Sequence, residues 1–134
     1  MPARTSYEYA VIRVVPRVER EEFINAGVIL FSKPLRFLGA RVAVEEGRLR
    51  ALAPEVDLEM VRRHLEAIPR ICAGDQDAGP IAKLPARERF HWLAAPRSTV
   101  IQVSPVHAGF CEDPASELSE LFSRLVSAER PESS

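Results

Sequence analysis

Two rhythms of hydrophobic and polar positions run along this chain, one of continuous apolar runs and one of helical stripes. From Tyr7 to Val15 it reads YEYAVIRVV, β-branched and aromatic, closed by Pro16. Such a run predicts a strand buried on both faces over its middle. A polar segment, Arg17 to Glu22, leads into FINAGVILF (Phe23 to Phe31), a second apolar run bounded by Lys33 and Pro34. The short connection between the two runs predicts a hairpin, because a parallel crossover needs about a dozen residues or more. Phe37 to Val44 predicts a third strand, with Leu38, Ala40, Val42 and Val44 on one face and Arg41 on the other. Glu46 and Gly47 then turn the chain, and GRLRALAP suits a short helical turn that Pro54 ends.

Beyond that point the period becomes helical. Asp57 is placed to cap a helix whose apolar stripe is Leu58, Val61, Leu65, Ile68 and Cys72, and Pro69 is expected to kink or end it. Ala73 to Pro80 is the most loop-like segment. The stretch PARERFHWLAAP predicts a helix opened by Pro85, with an extended strand as the competing reading. Thr99 to Ser104 reads as a fourth strand ended by Pro105, and Pro105 with Gly109 makes a loop of the residues that follow. Asp113 and Pro114 open a last helix with Leu118, Leu121, Phe122 and Leu125 on its apolar face; residues 129–134 form a frayed tail. The expected fold is α+β, one domain over residues 1–134. A mainly antiparallel sheet of about four strands carries two or three helices, placed for economy on one side of it.

Composition narrows the function more than it identifies it. A chain of 134 residues that is 46% hydrophobic can build one core. Charged residues make up 28% with a net charge of −1, which excludes disorder, a coiled coil and a generic basic nucleic-acid binder. Neither a helix-turn-helix spacing nor a basic helix is apparent, so nucleic acid is not an expected partner. All basic residues except Lys33 and Lys83 are arginine, but they are spread along the whole chain, as a GC-rich genome would place them. No apolar stretch approaches the roughly 20 residues of a membrane span, and MPARTSYEY lacks the plan of a secretory signal, so a cytoplasmic location is expected. Cys72 and Cys111, far apart and in no CxxC pair, are expected as free buried thiols.

Candidate chemistry centres on two places. Asn25, the sole asparagine, is expected by period two to share a face with Phe23, Gly27, Ile29 and Phe31. It is either a polar notch that receives a ligand or partner, or a structural amide beside a bulge. Arg13 interrupts an apolar strand and needs a carboxylate or solvent, with Glu22 as the partner across the hairpin. In the C-terminal half Arg87, Glu88, Arg89, His91, Arg97, Ser98, Thr99, Gln102 and Ser104 crowd around the sole tryptophan, Trp92. Such a group offers charge and stacking to a phosphate or nucleotide, or else is a solvated helix followed by a strand edge. His64 is read as a boundary residue of its helix. His107 and Cys111 are too few and too loop-like to predict a metal, and no cofactor motif or complete catalytic set is present.

The segments YEYAVIRVVPRVEREEFINAGVILF and RERFHWLAAPRSTVIQVSPVHAGFCEDP resemble the bacterial family catalogued as domain of unknown function 3037, over nearly the whole chain. The family's opening motif falls on Arg13, Pro16, Arg20, Glu22, Phe23, Asn25, Gly27 and Val28, with Glu21 standing between Arg20 and Glu22 and Ala26 where valine is common. The resemblance implies no established enzymatic activity. It does imply a small accessory partner of a HipA-like kinase, and it makes Arg20, Glu22 and Asn25 the first candidates for a site. A protein-binding module, with a homodimer as one form of association, is therefore the leading expectation. The alternative is a ligand-binding domain or enzyme for a phosphorylated metabolite or nucleotide, which requires Arg20, Glu22, Asn25, Arg89 and Arg97 to converge on one pocket.

Overall fold

The computed structural model describes residues 4–97 and 99–127. Strand β1 (Thr5–Val14) pairs antiparallel with β2 (Ile24–Ser32), and β2 with β3 (Phe37–Val42). On the other side of β1 lie β4 (Ile101–Val103), opposite Ile12 to Val14, and β5 (His107–Cys111), opposite Thr5 to Tyr9. These last two segments therefore form one bent edge strand, interrupted where Pro105, which has no N–H to donate, meets β1. Among the described residues, four α-helices complete the α+β fold: α1 (Glu46–Leu52), α2 (Leu58–Cys72), α3 (Ala86–Leu93) and α4 (Pro114–Leu125). None of the described helices is long and apolar enough to cross a membrane.

The helices cover both faces of the sheet, not one. Ile12, Val14, Ile24, Ala26, Ile29 and Phe31 pack with Val61, Leu65 and Ile68 of α2 and Phe90 and Leu93 of α3. On the opposite face Tyr7, Val28 and Leu30 pack with Leu118 and Leu121 of α4. The continuous apolar runs of β1 and β2 follow from this, since a strand covered on both faces has no solvent side on which to place polar residues.

A β-bulge changes which side chains share a face. Ile12 is opposite Gly27 but Arg13 is opposite Asn25, so β2 carries one extra residue here and its alternation reverses. Ile24 and Ala26 join Ile29 and Phe31 on the α2 face. Asn25 consequently turns to the α4 face, away from Ile29 and Phe31, contrary to the simple period. Gly27 is required at this point: a Cβ there would lie 2.7 Å from the Arg41 carbonyl oxygen and 2.9 Å from Ile12 Cδ1 and Val42 Cγ1.

The helix caps are those expected. Asp57 accepts from the Met60 N–H at 3.1 Å, and Asp113 from the Ala115 N–H at 3.1 Å with Pro114 in the first turn. Pro69, however, does not end α2, which continues to Cys72. The far end is held instead: Gly74, at φ 74°, and Asp75 donate their N–H groups to the carbonyls of Ile71 and Arg70. Residues expected as loop after Pro105 form β5, with the His107 ring tilted against that of Tyr9 at 5.2 Å and Cys111 buried against the α4 layer. Tertiary pairing along β1 overrides the local turn residues there. Both cysteines are free and buried, in different layers of the fold. The frayed-tail expectation, residues 129–134, lies outside the described residues.

Candidate functional site

The sequence candidates divide among several places. Arg20 and Glu22 grip each other at the hairpin turn, with Nε to Oε1 at 2.9 Å and Nη2 to Oε2 at 3.1 Å, both side chains exposed. The hydrogen bond from Arg20 holds the Glu22 carboxyl below its ordinary value. Arg13 does not reach Glu22. Its guanidinium stacks on the Phe23 ring at 4.3 Å, because Glu22 is already engaged by the nearer Arg20.

Asn25 Nδ2 donates to the Leu125 carbonyl at the end of α4 at 2.9 Å, so the amide is held by a helix terminus and not by a guanidinium. Its Oδ1 and the Nε of Arg13, the residue directly opposite, are both buried without a hydrogen-bond partner among the described residues. A hollow of about 230 Å³ opens beside Asn25, between Val44, Arg48 and Phe122.

Arg89 is structural. It donates to the carbonyls of Leu84 at 2.8 Å, Ile71 at 2.9 Å and Cys72 at 2.6 Å, placing a cation at the C-terminal end of α2 where the helix dipole favours one. Burial pushes the neighbouring Cys72 thiol up to about 12, so it stays protonated and unreactive near neutrality. On the α4 face Tyr7 donates its O–H to Glu117 at 2.7 Å, and burial together with this bond raises the phenol above its ordinary value of 10.0.

What does come together is a different set. A cleft of about 290 Å³ opens between α2, the end of α3 and β4. His64, Ala67, Ile68 and Ile71 form one wall, Trp92 and Leu93 another, and Ile101 and Val103 the sheet side. Arg97, Thr99 and Gln102 complete it. Arg97 lies over the Trp92 ring at 4.4 Å and donates to the Trp92 carbonyl at 2.5 Å; Gln102 Nε2 donates to the Thr99 carbonyl at 2.8 Å. Trp92 nevertheless remains 43% exposed, a large apolar surface left open beside a preformed hollow.

Of the C-terminal candidates, Trp92, Arg97, Thr99 and Gln102 line this cleft. Arg20, Glu22, Asn25 and Arg89 lie elsewhere and do not form a common pocket with them. Sequence reasoning missed His64 and Ala67 as cleft residues. Their signal was present in the helical stripe itself, since His64, Ala67, Ile68 and Ile71 recur at the spacing of one helix face.

The family model for "Protein of unknown function (DUF3037)" matches residues 9–126. The chain belongs to the DUF3037 family. That match takes in all of β2 to α4, and with them every residue of the cleft. No curated protein and no solved structure matches the chain.

Proposed function

We propose that this chain is a binding module that works by association, holding an apolar segment of another protein in the cleft between α2, α3 and β4. The observation that carries this reading is the open cleft itself, apolar on three sides and bordered by a half-exposed Trp92 under Arg97. Aromatic and arginine side chains in such settings are the usual anchors of protein interfaces. The dispersal of Arg20, Glu22, Asn25 and Arg89 favours this reading over one in which they act together on a phosphorylated metabolite.

The partner implied by family resemblance is a HipA-like kinase in the cytoplasm. Calorimetric titration of that kinase with the wild-type chain and with Ala67→Trp, which fills the cleft from an accessible helix position, tests the reading. Wild type is expected to bind at micromolar concentration or better and the variant at least roughly 10-fold more weakly, the effect of about 1.4 kcal/mol. Equal binding by the two chains places the partner elsewhere, and absence of binding at micromolar concentration removes the kinase as partner.

A further inference from the structure

Beside the cleft lies an open sheet edge. The Val15 N–H donates to the Val100 carbonyl at 2.6 Å and the Ser104 N–H to the Val11 carbonyl at 2.8 Å. In the register that places Val14 opposite Ile101 and Ile12 opposite Val103, antiparallel alternation turns Gln102 toward β1. The backbone groups of Ile101 and Val103 therefore point outward from the sheet. Thr99 Oγ1 donates to the Ile101 carbonyl at 2.9 Å, which leaves the two N–H groups and the Val103 carbonyl facing out. The side chains of these same two residues belong to the α2 face and form the sheet wall of the cleft.

We infer that the cleft and this edge are one docking surface, on which an extended peptide with alternating apolar residues and a carboxylate adds as a further strand next to β4. The inference rests on the binding-module reading above and names the kind of segment bound. An added strand repeats the side-chain alternation of its neighbour, so every second residue enters the cleft while its backbone bonds to Ile101 and Val103. Charge selects the carboxylate: the ionisable groups of the lining are Arg97 and His64, and no acidic residue is among them. Only a short segment fits, because Pro105 breaks the edge two residues after Val103.

The probe is a fluorescein-labelled peptide, Thr-Leu-Thr-Leu-Thr-Glu-Thr, followed by anisotropy. Val103→Pro removes an outward N–H without touching the ladder to β1, a position at which an edge strand tolerates proline. As a check independent of that variant's folding, the same peptide N-methylated at alternate residues is titrated against wild type. Saturable binding is expected, weakened roughly 10-fold or more by Val103→Pro, by N-methylation and by exchange of the glutamate for lysine. Retention of affinity by the N-methylated peptide overturns strand addition, as does absence of binding up to about 1 mM. If Ala67→Trp abolishes binding while the edge changes do not, strand addition fails and the cleft reading survives; if Ala67→Trp also has no effect, both fail. Self-association in sedimentation that Val103→Pro abolishes identifies a second copy as occupant and overturns the inference.

Discussion

Replacing Gly27 by alanine places a methyl group at the bulge of β2, against the Arg41 carbonyl at 2.7 Å and the Ile12 and Val42 side chains at 2.9 Å. No real Cβ is held so close, so something must move. The side-chain carbons could shift by changing rotamer, but Arg41 is paired with Val28 in the β2–β3 ladder and its carbonyl is backbone. Overpacking of a core by one methylene costs about 1–3 kcal/mol, and three simultaneous contacts place Gly27→Ala near the upper end. For a chain of this length that is a fall in Tm on the order of 10 °C. Gly47→Ala is the matched control: nothing lies within 4 Å of its Cβ and it sits in α1, so it should gain a few tenths to about 1 kcal/mol from lost unfolded-state freedom. Urea unfolding of both variants decides the matter. If Gly27→Ala lies within about 0.5 kcal/mol of wild type, the bulge is wrong, and with it the placement of Asn25 on the α4 face.

Three further outcomes are expected. Arg89→Met keeps the aliphatic stem but removes three donated hydrogen bonds, two to the carbonyls at the end of α2 and one to that of Leu84, so it should cost about 2–3 kcal/mol by chemical denaturation; a loss below about 0.5 kcal/mol would show that water replaces the guanidinium without penalty. The native protein should resist a thiol reagent at pH 8, because burial raises both thiols, Cys72 to about 12, and two thiols should react once it is unfolded; rapid native labelling contradicts the burial. The carboxyls of Glu22, Glu46, Glu55 and Asp75 are each lowered in the folded chain by a hydrogen bond from Arg20, Arg62, Arg17 and Arg70 respectively. Their contribution is present above the ordinary values of 4.5 for the glutamates and 3.8 for Asp75 and is lost as pH falls through the lowered ones, so Tm should drop there on acidification, less steeply in high salt. A Tm that is constant down to the acid limit refutes the linkage.

Much of this fold was legible because its signals are local. Asp57 and Asp113 cap the helices they announce, and the runs around Val11 and Val28 are strands. What escaped was decided at a distance. The reversal at Gly27, which carries Asn25 to the other face, depends on one residue more in β2 than in β1, and no local spacing records that. β5 carries Gly109 and follows Pro105, yet pairs along β1 because Tyr7 occupies the space above Gly109, where a Cβ would meet the Tyr7 hydroxyl at 2.7 Å. The site was half legible: Arg97, Gln102 and Trp92 are close in sequence, whereas His64 and Ala67 join them only through the packing of α2. Arg20, Glu22 and Asn25 drew notice through their charge and rarity, and each now has an internal partner.

Trp92 is the only tryptophan in the chain, so selective excitation reports on the cleft alone. The most direct measurement is its emission and acrylamide quenching during titration with the tryptophan-free alternating peptide. Occupation of the cleft predicts a blue shift and protection from quenching that saturate together with the anisotropy. A peptide that binds while Trp92 emission and quenching stay unchanged contradicts the account.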